Sequence, residues 1–201
     1  GNVNNIAGNR LDALVYNLLS GSTTINAYDY ILNTQFTLLN TATAFSSAVA
    51  SPTALGFDNT HSLLYIALPG TIVQVGLMPY NRYGAPGTQI FNGYVKTGTL
   101  AGMATVNDLA IEDVSGTIYL SGTNGGAATI LVRYDFTTNT MIQTATPGVA
   151  GPLNLAFGNN GVLYVTNNAT IYSCNTSTLA LTVVSASVST WTDLASPLYN
   201  M

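Results

Sequence analysis

Few side chains in this sequence can do chemistry. There is one histidine, His61, and one cysteine, Cys174. A nucleophilic triad needs a general base held beside the nucleophile. His61 sits in a polar turn, Asp58-Asn59-Thr60-His61, with no G-x-S-x-G elbow nearby, so it reads as an exposed turn residue. A metal centre needs several converging His, Cys or carboxylate ligands. Asp108, Glu112 and Asp113 are the one acidic cluster, and no second His or Cys joins them. Cys174 has no partner for an internal disulfide; within an apolar run it reads as a small buried hydrophobe. Catalytic, cofactor and metal residues are therefore assigned as none.

Composition narrows the setting. Charged residues make up 6% of the 201 residues while hydrophobic ones make up 47%, so Thr, Ser, Asn and Gly must supply the polar surface. Such a surface changes its charge little with pH, because only eight carboxylates titrate. An extracellular or acid-exposed location is expected over a cytoplasmic one. Four scattered cations, Arg10, Arg82, Lys96 and Arg133, cannot neutralise many phosphates, which argues against nucleic acid as a partner. No apolar run reaches the roughly 18 residues of a membrane-spanning helix, and no signal peptide is visible. Gly1 in place of Met reads as a processed or excised start, or as part of something longer.

The elements that position these residues are strands. Short runs of Val, Ile, Leu, Tyr and Thr alternate with Asn, Gly, Pro and Ser clusters, which predicts an all-β chain. The runs repeat. Leu155, Phe157, Tyr164 and Ile171 align with Leu55, Phe57, Tyr65 and Ile72, then with Leu109, Ile111, Tyr119 and Ile130, and at the N-terminus with Ile6, Tyr16 and Ile25. The copies lie roughly 50 residues apart, each with four strand signals, which is the pattern of β-propeller blades. This register makes residues 11–20 a second strand and not a helix. Four complete blades are expected, at about 3–45, 52–100, 106–147 and 152–186, in a single domain. Thr192, Asp193, Leu194 and Ala195 match a further first strand. Two arrangements follow: residues 190–201 take the first-strand place of the N-terminal blade and close the ring, or the chain belongs to a larger ring.

Residues 106–184, and the letters Tyr164, Val165, Thr166 and Asn167 in particular, resemble the YVTN-type β-propeller repeat of archaeal surface-layer and other secreted proteins. The link Pro147-Gly148-Val149-Ala150-Gly151-Pro152 resembles that family's passage from an outer strand to the next inner strand. The resemblance implies a propeller displayed outside a cell, in a hot or acidic habitat.

The recurring Tyr16, Tyr65, Tyr119 and Tyr164 read as inter-blade packing residues, the other reading being a ligand-stacking ring. Asp108 is register-equivalent to Asp193, with Asn5, Ala54 and Asn154 at the other copies; such a ring is either structural or a weak site for a hard cation. Asn168 and Asn175 open N-glycosylation sequons in one blade, on a shared outward face. The insertion at 79–93 reads as a long exposed contact loop with Tyr80, Arg82 and Tyr83. Together these features predict a non-catalytic module that contacts proteins, as a subunit of a surface layer, filament or virus particle. The alternatives are an adhesin or receptor-binding module that takes glycans, and a hydrolase with a metal in the channel.

Overall fold

The computed structural model describes residues 3–19, 21–45, 52–84, 91–167 and 170–186. Sixteen strands form four antiparallel sheets, each wound in sequence order from an innermost to an outermost strand. Blade one holds β1 (Val3–Asn9), β2 (Leu14–Leu19), β3 (Thr24–Asp29) and β4 (Thr34–Asn40). Blade two holds β5 (Ala54–Asp58), β6 (Leu63–Leu68), β7 (Thr71–Leu77) and β8 (Phe91–Thr99). Blade three holds β9 (Met103–Ile111), β10 (Ile118–Asn124), β11 (Thr129–Asp135) and β12 (Thr140–Ala145). Blade four holds β13 (Asn154–Phe157), β14 (Leu163–Thr166), β15 (Thr170–Cys174) and β16 (Leu181–Ala186). The innermost strands β1, β5, β9 and β13 stand side by side in that order, which makes the four sheets propeller blades. A single helical turn, α1 (Thr41–Ala44), follows β4, capped by the Asn40 side chain.

Both faces of an inner blade are buried, which is why β6 and β7 read as near-continuous apolar runs. Three apolar clusters fill the gaps between blades one and two, two and three, and three and four. In each gap the tyrosine of the second strand packs on a phenylalanine of the next blade: Tyr16 on Phe57, Tyr65 on Phe136 and Tyr119 on Phe157, with ring centroids 5.4–5.5 Å apart. The repeated tyrosines are thus packing residues in three blades, while Tyr164 is half-buried and takes a hydrogen bond from Asn160 on its hydroxyl. Gly56 stands where β5 crosses β9, and a β-carbon there would displace the end of the Leu109 side chain.

Five of the hairpins at one end of the disc share one construction. An Asp or Asn side chain accepts the N–H groups two and three residues on, and the residue four places on adopts a left-handed conformation. Asn9 with Ala13, Asp29 with Asn33, Asp58 with Ser62, Asp135 with Asn139 and Asn175 with Leu179 all follow it, with φ of 54–59°. The turns between first and second strands and between third and fourth strands lie at this end.

Two expectations change. The first-strand place of blade one is filled by β1 itself, paired along β2, so it is not open to residues 190–201. Those residues, Asp193 among them, lie outside the described ones. Residues 11–13 form the turn ahead of β2, because Ala13 must take positive φ.

The last rung of β14 carries a polar group with no partner among the described residues. On the same rung of blade three, the Ser121 hydroxyl donates to the Leu153 carbonyl of the next blade at 2.6 Å. Its counterpart in blade four, the fully buried Thr166 hydroxyl, has none among them. Ser121→Ala is expected to cost about 1–2 kcal/mol in urea denaturation, by stranding a buried carbonyl, whereas Thr166→Val is expected to be neutral or to gain up to about 1 kcal/mol. Equal losses in both variants would contradict this account.

Candidate functional site

The hub is built from polar side chains at one register position. Asp108 and Asn5 are both buried, on β9 and β1. The Asn5 amide donates to Asp108 Oδ1 at 2.7 Å and its Oδ1 accepts the N–H of Leu55 at 2.7 Å. Asp108 also accepts the N–H of Leu109 at 2.8 Å on Oδ1 and that of Leu155 at 2.6 Å on Oδ2. One carboxylate thereby ties blades one, three and four, and its oxygens face N–H donors. A hard-cation site needs those oxygens free. The channel cavity alongside, lined by Ile6, Leu55, Leu109 and Leu155 among others, has a volume of about 30 Å³. That is room for a water or two and not for a substrate.

Glu112 and Asp113 do not converge with Asp108. Asp113 forms an ion pair with Arg10 at the channel mouth and accepts from the Asn59 backbone, which ties blades one, two and three there. Glu112 accepts from Ser115 in its own turn. Among the described residues no group of three His, Cys, Asp or Glu is placed to hold a metal ion. His61 is half-exposed in the β5–β6 turn, with Nδ1 2.8 Å from the buried Asp58 carboxylate. Cys174 is buried between blades three and four, and burial pushes its thiol up to about 11.

Of the described residues in the 79–93 insertion, Pro79, Asn81, Tyr83 and Gly93 are exposed, while Tyr80 and Arg82 are drawn onto blade one. The last three residues of the insertion join β8, Tyr80 stacks on Phe36, and Arg82 reaches across to blade one. Arg82 donates from Nε to Asp29 at 2.8 Å and from Nη2 to the Asp12 carbonyl at 2.6 Å. Asp29 is fully buried, so its charge demands this partner. Of the three contact residues only Tyr83 is free at the surface, 91% exposed. Asn175 is exposed in the β15–β16 turn, and its Oδ1 takes the turn N–H groups. Asn168 lies outside the described residues. The β14 and β15 ends that flank it lie at the end of the blade opposite Asn175, because consecutive hairpins alternate ends.

At the turn-bearing end an arginine reaches across two of the three gaps between blades. Arg82 spans the first. Arg133, opposite Tyr119 on β11, spans the third and donates to the Thr176 carbonyl of blade four at 3.2 Å. In the second gap the position of Arg133 is held by Gln74, opposite Tyr65, whose amide donates to the Tyr65 hydroxyl at 2.6 Å. A cleft of about 540 Å³ lies there, lined by His61, Leu63, Lys96, Thr117, Asp135, Ile142 and others. This cleft was not legible from motifs, because the position opposite the repeated tyrosine differs in every blade, Ala27, Gln74, Arg133 and Ser173 in turn, and so carries no repeat signal.

The fold and these sites define a β-propeller. No family model matches the chain, and no curated protein matches it. Among solved structures, a chain in the crystal structure of a nidogen/laminin complex is similar, with a TM-score of 0.68, 14% identity, and coverage of 97% of this chain and 68% of that one. That likeness concerns the fold.

Acid tolerance can be read from the turn carboxylates. Burial raises the Asp29 carboxyl, but the N–H groups of Leu32 and Ile31 and the Arg82 guanidinium outweigh it and hold it below its usual value. Asp135 is lowered in the same way by the N–H and hydroxyl groups of Thr137 and Thr138. Groups lowered on folding stabilise fully above the unfolded value of 3.8, and that stability is lost as pH falls below it. Urea midpoints are therefore expected to stay level from neutrality down to about pH 5 and to fall below about pH 4. The double variant Asp29→Asn, Asp135→Asn should show lower stability at neutral pH and a flatter acid limb. The native Cys174 thiol should resist alkylation at neutral pH until the protein unfolds.

Proposed function

We propose that this propeller is a non-catalytic interaction module, displayed outside a cell or on a virus particle, that works by protein contact. The observation that carries this reading is where apolar side chains are exposed. Among the described residues the large exposed apolar side chains fall into two groups. Leu11, Ile31, Leu32, Met78, Tyr83 and Val114 stand at the turn-bearing end, while Val95, Ile142, Val183 and Val184 lie on outermost strands. Scattered exposed leucines mean little, but a set gathered at one end of a rigid disc is a contact surface.

Four of the first group, Leu11, Ile31, Leu32 and Tyr83, belong to the turns of blade one and the insertion folded over it. They are carried on turns whose Asp and Asn anchors fix the backbone, so the tips are presented without loop disorder to overcome on binding. The low charge and the hydroxyl-rich surface support a location outside the cytoplasm, and the YVTN-type resemblance supports a surface layer, filament or virion in which copies meet one another. The solved neighbour comes from a protein–protein complex, which agrees with protein partners as a mode for this fold.

The test is association of the purified protein, measured by sedimentation at neutral pH and at about pH 3. Concentration-dependent oligomers are expected, and they should be weakened at least tenfold in the triple variant Leu11→Ser, Ile31→Ser, Tyr83→Ser. Monomers at every concentration, or oligomers that the triple variant leaves unchanged, would count against self-assembly through this surface.

A further inference from the structure

The second inter-blade cleft stands apart from the contact surface and points to a different kind of ligand. In the first and third gaps the chain supplies its own guanidinium. In the second, Gln74 is shorter than Arg133 and is turned to Tyr65, and among the described residues no side chain spans the gap as Arg133 does in the third. At about 540 Å³ the cleft has the volume of a small-molecule site.

Its charges are already answered. His61 is held by Asp58, the Lys96 ammonium lies 5.2 Å from the centre of the Phe136 ring, and Asp135 takes the N–H groups of Thr137 and Thr138. No single sign of charge dominates, so a charged ligand gains no net attraction. The lining is otherwise a mixture of polar and apolar groups: the Thr117 hydroxyl, which is bonded to that of Ser115 at 2.7 Å and keeps capacity for a further partner, with His61 and Lys96, beside Leu63 and the half-exposed Ile142. A ring with hydroxyls around its edge and C–H groups on its face matches that mixture.

We propose that the cleft between blades two and three binds a neutral saccharide. Its hydroxyls meet Lys96 and Thr117, and its C–H face lies on Ile142. The site is independent of association through Leu11, Ile31 and Tyr83, so the triple variant should bind saccharide as the wild type does.

The experiment follows from the comparison of gaps. The protein is screened on an array carrying neutral hexose and N-acetylhexosamine oligosaccharides beside sialylated and uronic ones, and the strongest ligand is titrated calorimetrically. Gln74→Arg places in this gap the side chain that spans the third, and is expected to abolish binding at a temperature where the variant is folded, with a lowered thermal midpoint because the buried Tyr65 hydroxyl loses its Gln74 partner. Thr117→Val, at a half-exposed position that leaves the core intact, should weaken binding by about tenfold. Binding to neutral saccharides that both variants reduce supports the site. Binding to none, binding to acidic saccharides alone, or binding unaffected by Thr117→Val would overturn it, even if Gln74→Arg failed to fold.

Discussion

The Asp108 carboxylate is the point on which the structure turns. A charge taken out of water must be met by donors, and here the donors come from three blades: the Asn5 amide, the N–H of Leu109 beside it and the N–H of Leu155. Meeting that demand sets how far blades one, three and four can rotate about the axis. Through Asn5, which also accepts the N–H of Leu55, the network reaches β5, where Gly56 lies close enough to β9 that a β-carbon would displace the end of the Leu109 side chain. The three apolar clusters then fill the wedges between blades whose angles the hub has already limited. Hydrophobic burial supplies most of the driving force, and the hydrogen-bonded carboxylate supplies its direction.

Away from the axis the constraints relax in a graded way. Inner strands are buried on both faces, while β16 is exposed over nearly its whole length. The turn-bearing end is rigid without being buried, because the same Asp or Asn anchor and left-handed fourth residue recur in hairpin after hairpin. The tip residues between anchor and left-handed position are not fixed by the turn, and they differ: Ile31 and Leu32 stand exposed in one hairpin, whereas Arg10 and Asn59-Thr60 in two others are used to join blades one, two and three through Asp113. Differences at the inter-blade gaps, Arg82, Gln74 or Arg133, have the same character.

Whatever is periodic was legible. The strand pattern, the tyrosines at 16, 65 and 119, the burial of Cys174 and the turn location of His61 all follow from register, since equivalent positions meet equivalent environments. What depends on contact between non-equivalent positions was not. Arg82 sits in an insertion without counterpart in the other blades, and nothing local announces that it answers a buried Asp29 more than fifty residues earlier. Asn5 and Asp108 were recognised as one register set, but that blades one and three touch across the axis depends on the width of the hub, which periodicity does not encode. The single turn α1 and the early start of β8 within the insertion arise in the same way, from chain that must bridge a gap and not from the repeat.

The Thr166 hydroxyl, without a partner among the described residues, bears on how such chains change over time. Blade four repeats the donor with which blade three grips its successor, although blades one and two hold Leu18 and Ala67 at that rung, so a blade of the third and fourth kind carries a means of attachment to the next. Ring size is then not a property of such a blade. It is decided by what meets the last one, and duplication of such a blade would lengthen the array without any new chemistry at the joint.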